Sequence, residues 1–303
     1  MSMPDRRALA AGGLFGFGWP VREARCGFPG RATQAINRAI RMPIIQFLLL
    51  LPMVLMAPSA AWSYDAQSLV IASRGTLPLI LTVPHDGGEF LGLTPVRKTG
   101  VQVRDTGTQP LAERVAAALE SRLGKRPYLV IARFSRKFLD ANRSEAEAME
   151  SEDALPAYRA YHDAVSAYVA EIKTAFPGGA LLLDVHGQSQ EPDTTFRGTR
   201  GGLTSKRLLA QFGPAALQGG NSIIGVLATK GYAVNPPIGA ENLREDPRYA
   251  GGYTVFHYGS QRAAGIDAIQ LEFGKKHRDN ARLPDDLAEA LIVFMTHHGL
   301  LPK

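Results

Sequence analysis

The stretch Ala180-Leu-Leu-Leu-Asp-Val-His186 is an apolar run that begins after Pro177-Gly-Gly and ends in a histidine. A short apolar run bounded by turn residues is typical of a strand that is buried in a sheet. Such a strand has both faces covered, which points to an α/β protein. Three further runs of the same kind predict three more strands, at residues 77–83, 128–132 and 266–273.

Helical patterns lie among these runs, with apolar residues three or four positions apart. Proline opens two of the patterns and glycine follows each of them, as is usual at helix termini. Strands that alternate with helices predict an α/β fold with a mixed, largely parallel sheet and helices on both faces. Residues 188–265 are Gly-rich and less periodic, which predicts long functional loops. The helical patterns cover residues 111–123, 156–176 and 284–298.

The N-terminal 63 residues differ from the rest of the chain. They contain seven arginines and two acidic residues, so most of the formal net charge of +6 lies there. The nearly neutral remainder gives no electrostatic reason to expect a nucleic-acid partner. The apolar segment 42–56 follows Arg38 and Arg41 and precedes a run of small residues. This layout predicts a signal peptide over residues 38–63.

Residues 1–63 are therefore expected to be an N-terminal extension with a signal peptide, and residues 64–303 a single catalytic domain. The apolar segment is shorter than the roughly 20 residues that span a bilayer. We expect no stable membrane span after cleavage and a periplasmic or secreted protein; the alternative is a protein anchored by its N-terminus. The one cysteine, Cys26, lies in the extension, so a metal in the remainder would be held by histidines and carboxylates.

Three of the predicted strands end in a residue that is capable of metal or acid–base chemistry. These residues are His85, His186 and Glu272. Because ligand sites of open α/β sheets lie beyond the carboxyl ends of the strands, we expect the three side chains to meet at one edge. Two histidines and a carboxylate can hold zinc and leave one position for water, which zinc activates at neutral pH. We predict one zinc ion per chain, with Glu272 as the general base.

Two acidic residues are candidates for the carboxylate ligand. Glu89 lies near the first histidine in His85-Asp-Gly-Gly-Glu89, and Asp105 lies in Val-Arg-Asp105-Thr-Gly-Thr. Glu89 could equally be a solvated loop residue, and Asp105 could equally cap the helix that follows it. The residues alone do not decide whether Glu89 or Asp105 is the carboxylate ligand.

An arginine-rich segment, 132–143, follows one of the predicted strands. Guanidinium groups bind carboxylates through paired hydrogen bonds, so this segment is expected to bind a substrate carboxylate. Arg136 is expected to act in catalysis as well. Arg197, in the Gly-rich stretch 195–202, is expected to add a mobile clamp together with Arg200. The substrate-binding residues predicted in the segment are Arg133, Arg136, Asn142 and Arg143.

Five ordered motifs extend from residue 77 toward the C-terminus: Val-Pro-His85-Asp-Gly-Gly, Asp105-Thr-Gly-Thr-Gln-Pro-Leu-Ala-Glu, the segment 132–143, Leu-Asp-Val-His186-Gly-Gln and Gln270-Leu-Glu272. Together they resemble the N-formylglutamate amidohydrolase family. The resemblance implies a zinc-carboxypeptidase-like fold, with His85 and His186 as metal ligands and Glu272 as base. It favours Asp105 over Glu89 as third ligand, because the Asp105 motif looks like a family feature. It also implies that Gln270 belongs to the substrate site.

The function we expect is zinc-dependent cleavage of the amide of an N-formyl or N-acyl amino acid that carries a carboxylate. The family's namesake reaction belongs to cytoplasmic histidine breakdown, whereas this chain is predicted to be exported. Family resemblance transfers chemistry better than substrate. One alternative is therefore an exported amidase or carboxypeptidase that acts on peptidoglycan peptides by the same zinc mechanism. The other is a periplasmic binding protein without catalytic activity.

Overall fold

The structure is a computed structural model that describes residues 64–92, 94–240 and 242–301. Seven strands of the described residues form one sheet. Four of these strands coincide with the predicted apolar runs, and their side chains are almost all buried. The strands are β1 (Val70–Ser73), β2 (Leu79–Val83), β3 (Tyr128–Ala132), β4 (Leu181–Gln188), β5 (Thr194–Gly198), β6 (Ala233–Asn235) and β7 (Asp267–Gly274).

The order of strands in the sheet is β1-β3-β2-β4-β7-β5-β6. The four central strands β3, β2, β4 and β7 are parallel to one another. Strand β1 is antiparallel to β3, and β5 is antiparallel to β7 but parallel to β6. The prediction of a mixed, largely parallel sheet is confirmed, and the carboxyl ends of the four central strands share one edge.

The helices end where the sequence signals predicted. Helix α1 stops at Gly124, whose φ of 64° is left-handed and whose N–H bonds back to the carbonyl of Glu120. The helices are α1 (Thr108–Leu123), α2 (Glu145–Ala148), α3 (Leu155–Ala175), α4 (Lys206–Phe212), α5 (Ala215–Gln218), α6 (Ile223–Thr229), α7 (Tyr253–Tyr258), α8 (Lys275–Arg278) and α9 (Leu283–His297). Short 3-10 turns cover Gln67–Leu69, Glu152–Ala154 and Leu203–Ser205.

The helices cover both faces of the sheet. Leu79, Leu81 and Val83 pack into a core with α1, α6 and α9, whereas Ile80 packs into a second core with α3 and α7. The alternation follows from the period of two along a strand. Because each central strand is apolar on both faces, it reads in sequence as a continuous apolar run rather than as an alternating one. The α/β fold class is confirmed.

The sequence patterns did not predict three of the seven strands. Strand β1 is short, and β5 is polar in sequence, with Thr194, Thr195 and Arg197 among its five residues. Strand β6 has three residues. Residues 188–265 consequently contain two strands and four helices in addition to loops, which is more regular structure than their composition predicted.

No helix in the part of the chain that the structure describes is both long and apolar enough to cross a membrane. The predicted N-terminal extension and signal peptide, residues 1–63, lie outside the described residues. The single catalytic domain over residues 64–303 stays a prediction.

Candidate metal centre

His85, His186 and Glu272 meet at the carboxyl edge of the central strands. His85 follows β2 after one proline, whereas His186 and Glu272 are register partners on the neighbouring strands β4 and β7. Asp184 and Gln270 are also register partners, two residues earlier on the same strands. Since side chains two residues apart share a face of the sheet, the register brings all four strand residues to one side.

Three buried side chains turn one atom each toward a common point. The Nδ1 atoms of His85 and His186 lie 3.1 Å apart. Asp105 Oδ2 lies 3.3 Å from the first of them and 3.2 Å from the second. The three atoms therefore form a nearly equilateral triangle, and these residues are a group that could hold a metal ion.

The Nε2 atoms of the two imidazoles, which lie outside the triangle, contact carboxylates that indicate where the ring protons lie. Nε2 of His85 lies 2.7 Å from Asp140 Oδ1, and Nε2 of His186 lies 2.8 Å from Asp184 Oδ2. A carboxylate only accepts hydrogen bonds, so the neutral form of each imidazole carries its proton on Nε2 and keeps a lone pair on Nδ1. Asp184 is itself held by the hydroxyl of Thr82, which donates to Oδ1 at 2.6 Å.

This arrangement fits a cation. When both imidazoles are neutral, three lone pairs converge, which is unfavourable unless a positive charge lies at their centre. In tetrahedral zinc sites with bonds of about 2.0–2.1 Å, the donor atoms lie roughly 3.3 Å apart, close to the separations found here. Burial alone would lower the pKa of His186, but the charges of Asp184 and Glu272 raise it well above its ordinary value. The cluster thus stabilises added positive charge.

Asp105, not Glu89, supplies the carboxylate of this group. The backbone N–H of Asp105 donates to the carbonyl of His85 at 3.1 Å, which fixes the loop before α1 against the end of β2. Burial would raise the pKa of Asp105, but hydrogen bonds and charges from His186 and His85 lower it well below its usual range. Asp105 therefore stays ionised.

Asp140 also contacts this group of side chains, although no pattern in the sequence singled it out. Besides His85, it accepts a hydrogen bond at 2.9 Å from the backbone N–H of Asn142. Arg97 and Arg136 approach its Oδ2 at 3.3 and 3.2 Å. Burial would raise the pKa of Asp140, but the charge and hydrogen bond of His85 and the two arginines lower it well below its usual range. The carboxylate thus orients His85 from behind, an arrangement that is usual for histidines that bind metals.

Glu272 lies beside the triangle without being part of it. Its Oε1 is 3.9 Å from His186 Nδ1, and its side chain is 13% exposed, at the wall of a cavity. Burial raises the pKa of Glu272. The side-chain amide of Gln270 donates to Oε1 at 3.0 Å and accepts from the N–H of Gly252 at 2.7 Å. Both ends of the Gln270 amide are thus engaged, and the residue holds Glu272 in place.

A cavity of about 570 Å³ opens over this edge of the sheet. Asp105 and Glu272 are its only acidic lining residues within the described part of the chain. Asn142, predicted to bind substrate, also lines it; its Oδ1 accepts from the N–H of Thr254 at 2.7 Å and its Nδ2 lies 3.2 Å from His186 Nε2. Five arginines line the cavity: Arg104, Arg136, Arg143, Arg248 and Arg278.

The five cavity arginines differ in how far their charge is already paired. Arg104 bonds Asp86, Arg248 bonds Asp246 and Glu191, and Arg278 donates to backbone carbonyls. Arg136 contacts Asp140 and Asp105. Arg143 is 46% exposed and its nearest carboxylate oxygen, on Asp140, is 3.8 Å away. Arg143 is therefore the cavity arginine whose charge is least paired.

Arg133 and Glu89 do not reach the cavity. Their side chains bond each other at 3.0 Å on the surface, and Arg133 also donates to the carbonyl of Ser68 at 2.8 Å. The prediction that Arg133 binds substrate, and the alternative of Glu89 as a metal ligand, are corrected by this placement. Arg133 follows β3 directly and its side chain lies on the surface. Arg136 is the first residue of the segment 132–143 that lines the cavity.

Arg197 lies away from the cavity, in contrast to the sequence prediction. It is 1% exposed and forms an ion pair at 3.1 Å with Glu245, whose side chain is equally buried. Its Nη1 donates to the carbonyl of Leu217 at 3.0 Å. An arginine enclosed in this way cannot act as a mobile clamp, and Arg200 does not line the cavity either. Arg197 instead anchors the segment that carries Glu245 and, a few residues later, the cavity wall at Arg248.

Arg197→Ala is expected to lower the free energy of unfolding by about 3–5 kcal/mol, because the substitution leaves the carboxylate of Glu245 buried without its counter-charge. Urea denaturation followed by circular dichroism measures this loss. Arg126→Ala is the matched control, since Arg126 pairs with Glu120 at 3.2 Å on the surface. It should cost less than about 1 kcal/mol. Equal losses in the two variants would contradict a structural role for the buried pair.

Comparisons with known proteins agree with these motifs. Residues 146–277 match the family model of N-formylglutamate amidohydrolase, and the match includes His186 and Glu272. No curated protein sequence matches the chain significantly. Among solved structures, the N-formylglutamate amidohydrolase from Ralstonia eutropha JMP134 has a TM-score of 0.52 and 17% identity, covering 76% of this chain and 97% of its own.

Two other solved structures are less similar. A gene product from Agrobacterium tumefaciens has a TM-score of 0.48 and 17% identity, covering 76% of this chain and 94% of its own. N-acetylmuramoyl-L-alanine amidase from Clostridium difficile 630 has a TM-score of 0.30 and 15% identity, covering 72% and 95%.

The Ralstonia eutropha structure bears on the fold alone, because its sequence identity to this chain is low. It confirms the zinc-carboxypeptidase-like fold that the motifs implied. The family model rests on sequence and covers the segment that contains β4, β5, β6 and β7. The resemblance of this chain to the N-formylglutamate amidohydrolase family is thereby confirmed.

Proposed function

We propose that this protein is a zinc-dependent amidohydrolase that cleaves the amide of an N-acyl amino acid. One observation carries the proposal: the lone-pair atoms of His85, Asp105 and His186 converge within 3.1–3.3 Å of one another, beside the carboxylate of Glu272. Two imidazoles and one carboxylate are the donor set of carboxypeptidase-type zinc hydrolases. When bound by these residues, zinc supplies the Lewis acidity that activates water and polarises the amide carbonyl.

The surrounding residues prepare the ligands. Asp140 and Asp184 accept the Nε2 protons of His85 and His186, so that both Nδ1 lone pairs stay directed at the metal. A change of tautomer at either histidine would place a proton where the lone pair is needed. The two carboxylates therefore act on the reaction through the histidines and not by contact with substrate.

Glu272 transfers a proton from the attacking water to the amide nitrogen. Gln270 engages Oε1, and no hydrogen bond to Oε2 is found in the described residues, so Oε2 can take a proton from water. The oxygen of that water adds to the amide carbon. Glu272 then gives its proton to the nitrogen as the C–N bond breaks. The products are a carboxylic acid and the free amino acid.

Arg136 is placed to stabilise charge on the carbonyl oxygen. Its guanidinium lies 3.5 Å from Asp105 Oδ1, lines the cavity and is held by Asp140 at 3.2 Å. A fixed cation beside the reacting carbonyl stabilises the oxyanion without having to reorganise during the reaction. This supports the catalytic role that the sequence motifs predicted for Arg136.

A small acid fits the cavity better than a long polymer does. The volume of about 570 Å³ lies in the range for small ligands, and the lining arginines favour an anion. Arg143, the least engaged of them, would bind the carboxylate of the amino acid through two hydrogen bonds. These features support an N-acyl amino acid as the substrate class.

Arg143→Ala is expected to raise KM for N-formyl-L-glutamate about 10–100-fold with a small change in kcat, because a charge-assisted hydrogen bond contributes about 1.5–3 kcal/mol. Steady-state kinetics on the purified full-length chain measure both constants. Arg133→Ala is the matched control, since Arg133 belongs to the same motif but pairs with Glu89 outside the cavity. Equal effects of the two substitutions would contradict the assignment of Arg143.

The same assay, extended to a panel, tests the proposed function itself. The panel contains N-formyl- and N-acetyl-L-glutamate, other N-acyl amino acids and an N-acetylmuramoyl peptide. We expect turnover of N-acyl amino acids. Turnover of the muramoyl peptide alone would move the assignment to peptidoglycan, and tight binding without turnover of any compound would favour a periplasmic binding protein.

Export is part of the proposal. It is supported by the basic and apolar sequence of residues 38–63, which lie outside the described residues. Fractionation of the cells that produce the protein, with an antibody against the chain, tests export. We expect the protein in the periplasm or the medium, shortened by the signal peptide. A full-length protein in the cytoplasm would contradict export.

A further inference from the structure

Exposed apolar side chains concentrate in one part of this protein. Six large hydrophobic residues are exposed among the described residues, and four of them lie in the segment 90–103, directly before the ligand Asp105. Isolated exposed apolar residues are ordinary on protein surfaces, but a concentration beside a cavity is typical of a ligand-binding surface. The four residues are Phe90, Val96, Val101 and Val103.

Two of the four line the cavity. Val101 is 52% exposed and Val103 is 73% exposed, the highest value of the six. Val101, Val103 and Asp105 all line the cavity, whereas Gln102 does not. Arg104 lines it too, but its guanidinium is engaged with Asp86. An apolar strip thus runs outward from the metal ligand.

Both ends of this strip are held in place. At the inner end, the N–H of Asp105 donates to the carbonyl of His85 at 3.1 Å. At the outer end, the buried guanidinium of Arg97 donates to the carbonyl of Val101 at 3.2 Å and to that of Arg136 at 3.2 Å. The valines are therefore fixed against the cavity by the same arginine that supports Asp140.

We infer that Val103 and Val101 bind the aliphatic chain of an acyl group longer than formyl; this inference rests on the proposed function. The carbonyl of the scissile amide must lie at the metal group, next to Asp105. Val103 is two residues from Asp105, so its Cα is at most roughly 7 Å away, and that of Val101 roughly 14 Å. An acyl chain of medium length that leaves the carbonyl along the segment 101–105 would cover both valines.

The acyl side of the amide suits this strip better than the amino-acid side does. The acyl carbons are bonded directly to the carbonyl carbon, and the strip begins at the ligand beside that carbon. The amino acid is directed elsewhere, because its carboxylate binds Arg143 in the segment after β3. A formyl group would leave both valines in water, whereas a longer chain would bury them. Hydrolysis would release a medium-chain fatty acid and a free amino acid.

Chain-length dependence of kcat/KM tests the inference. We would measure N-formyl-, N-acetyl-, N-hexanoyl- and N-decanoyl-L-glutamate with the full-length chain, and N-acetyl-L-leucine beside them. Each methylene that is buried favours binding by roughly threefold to fourfold. Partial burial of the chain should therefore make hexanoyl at least about tenfold better than acetyl. Val103→Asp should abolish this gain, since the chain would then meet a charge.

Val96→Asp is the matched control, because Val96 is exposed on the same loop but does not line the cavity. It should keep the full chain-length gain. Equal kcat/KM for acetyl and hexanoyl in the wild-type protein would overturn the inference while leaving the amidohydrolase in place. A gain for N-acetyl-L-leucine but not for the hexanoyl compound would assign the valines to the amino-acid side chain and overturn it as well. Lack of turnover for every compound would contradict the proposed function instead.

Discussion

Glu272→Gln is expected to lower kcat by a factor on the order of 10²–10⁴, the usual contribution of a general base, without loss of metal. Glutamine keeps an oxygen that can accept the hydrogen bond from Gln270, so the side chain can hold its position. It cannot take a proton from water. The carboxylate of Glu272 lies beside the ligand triangle and not within it, so the metal site should remain intact. Steady-state kinetics and metal analysis of one preparation separate the two effects.

Glu89→Gln is the control for this prediction. Glu89 is also acidic and close to His85 in sequence, but it pairs with Arg133 on the surface. Its substitution should change kcat by less than about twofold, as for surface changes remote from a site. A Glu272→Gln protein that keeps its activity would remove Glu272 from the mechanism and return the base to an unidentified group.

His186→Ala is expected to abolish metal binding and turnover together. The substitution removes one of three donor atoms and leaves Asp184 without the proton it accepts from Nε2. The loss of zinc affinity should exceed the roughly 10–100-fold that changing a hydrogen-bond partner of a ligand costs. Competition with a chromophoric chelator measures the affinity, and N-formyl-L-glutamate hydrolysis measures the activity.

The control is His297→Ala, because His297 is exposed at the end of α9, far along the chain from the strand edge. It should keep both zinc and activity. A His186→Ala protein with unchanged zinc affinity would show that the ion is bound elsewhere. Loss of activity with zinc retained would reduce His186 to a structural residue.

The residues at the strand ends could be predicted because the central strands of the sheet are recognisable in the sequence. His186 and Glu272 lie within central parallel strands, and His85 follows another such strand after one proline. Strands of this kind appear in sequence as continuous apolar runs. The outer strands of the sheet could not be predicted in the same way. Strand β5 is polar in sequence although four of its five residues are buried, and nothing in its residues indicated that it pairs with β7.

Charged residues were predictable by type but not by burial. Arg197 and Arg143 look alike in sequence, yet one is enclosed with Glu245, 48 positions later, and the other faces the cavity. Asp140 supports His85 from 55 positions away, and only the fold brings the two together. Long-range ion pairs of this kind leave no local pattern. This is why the three residues of the candidate metal group could be predicted from the sequence, whereas the role of Asp140 behind His85 could not.

The most direct test of this zinc centre is the metal content of the purified full-length chain, with the coordination of the ion determined by X-ray absorption spectroscopy. We predict about one zinc ion per chain, bound by two imidazole nitrogens and carboxylate or water oxygens at about 2.0–2.2 Å. The triangle of His85, Asp105 and His186 supplies those donors. Substoichiometric metal after incubation with zinc, or zinc without imidazole ligands, would contradict the proposed centre and the hydrolytic mechanism built on it.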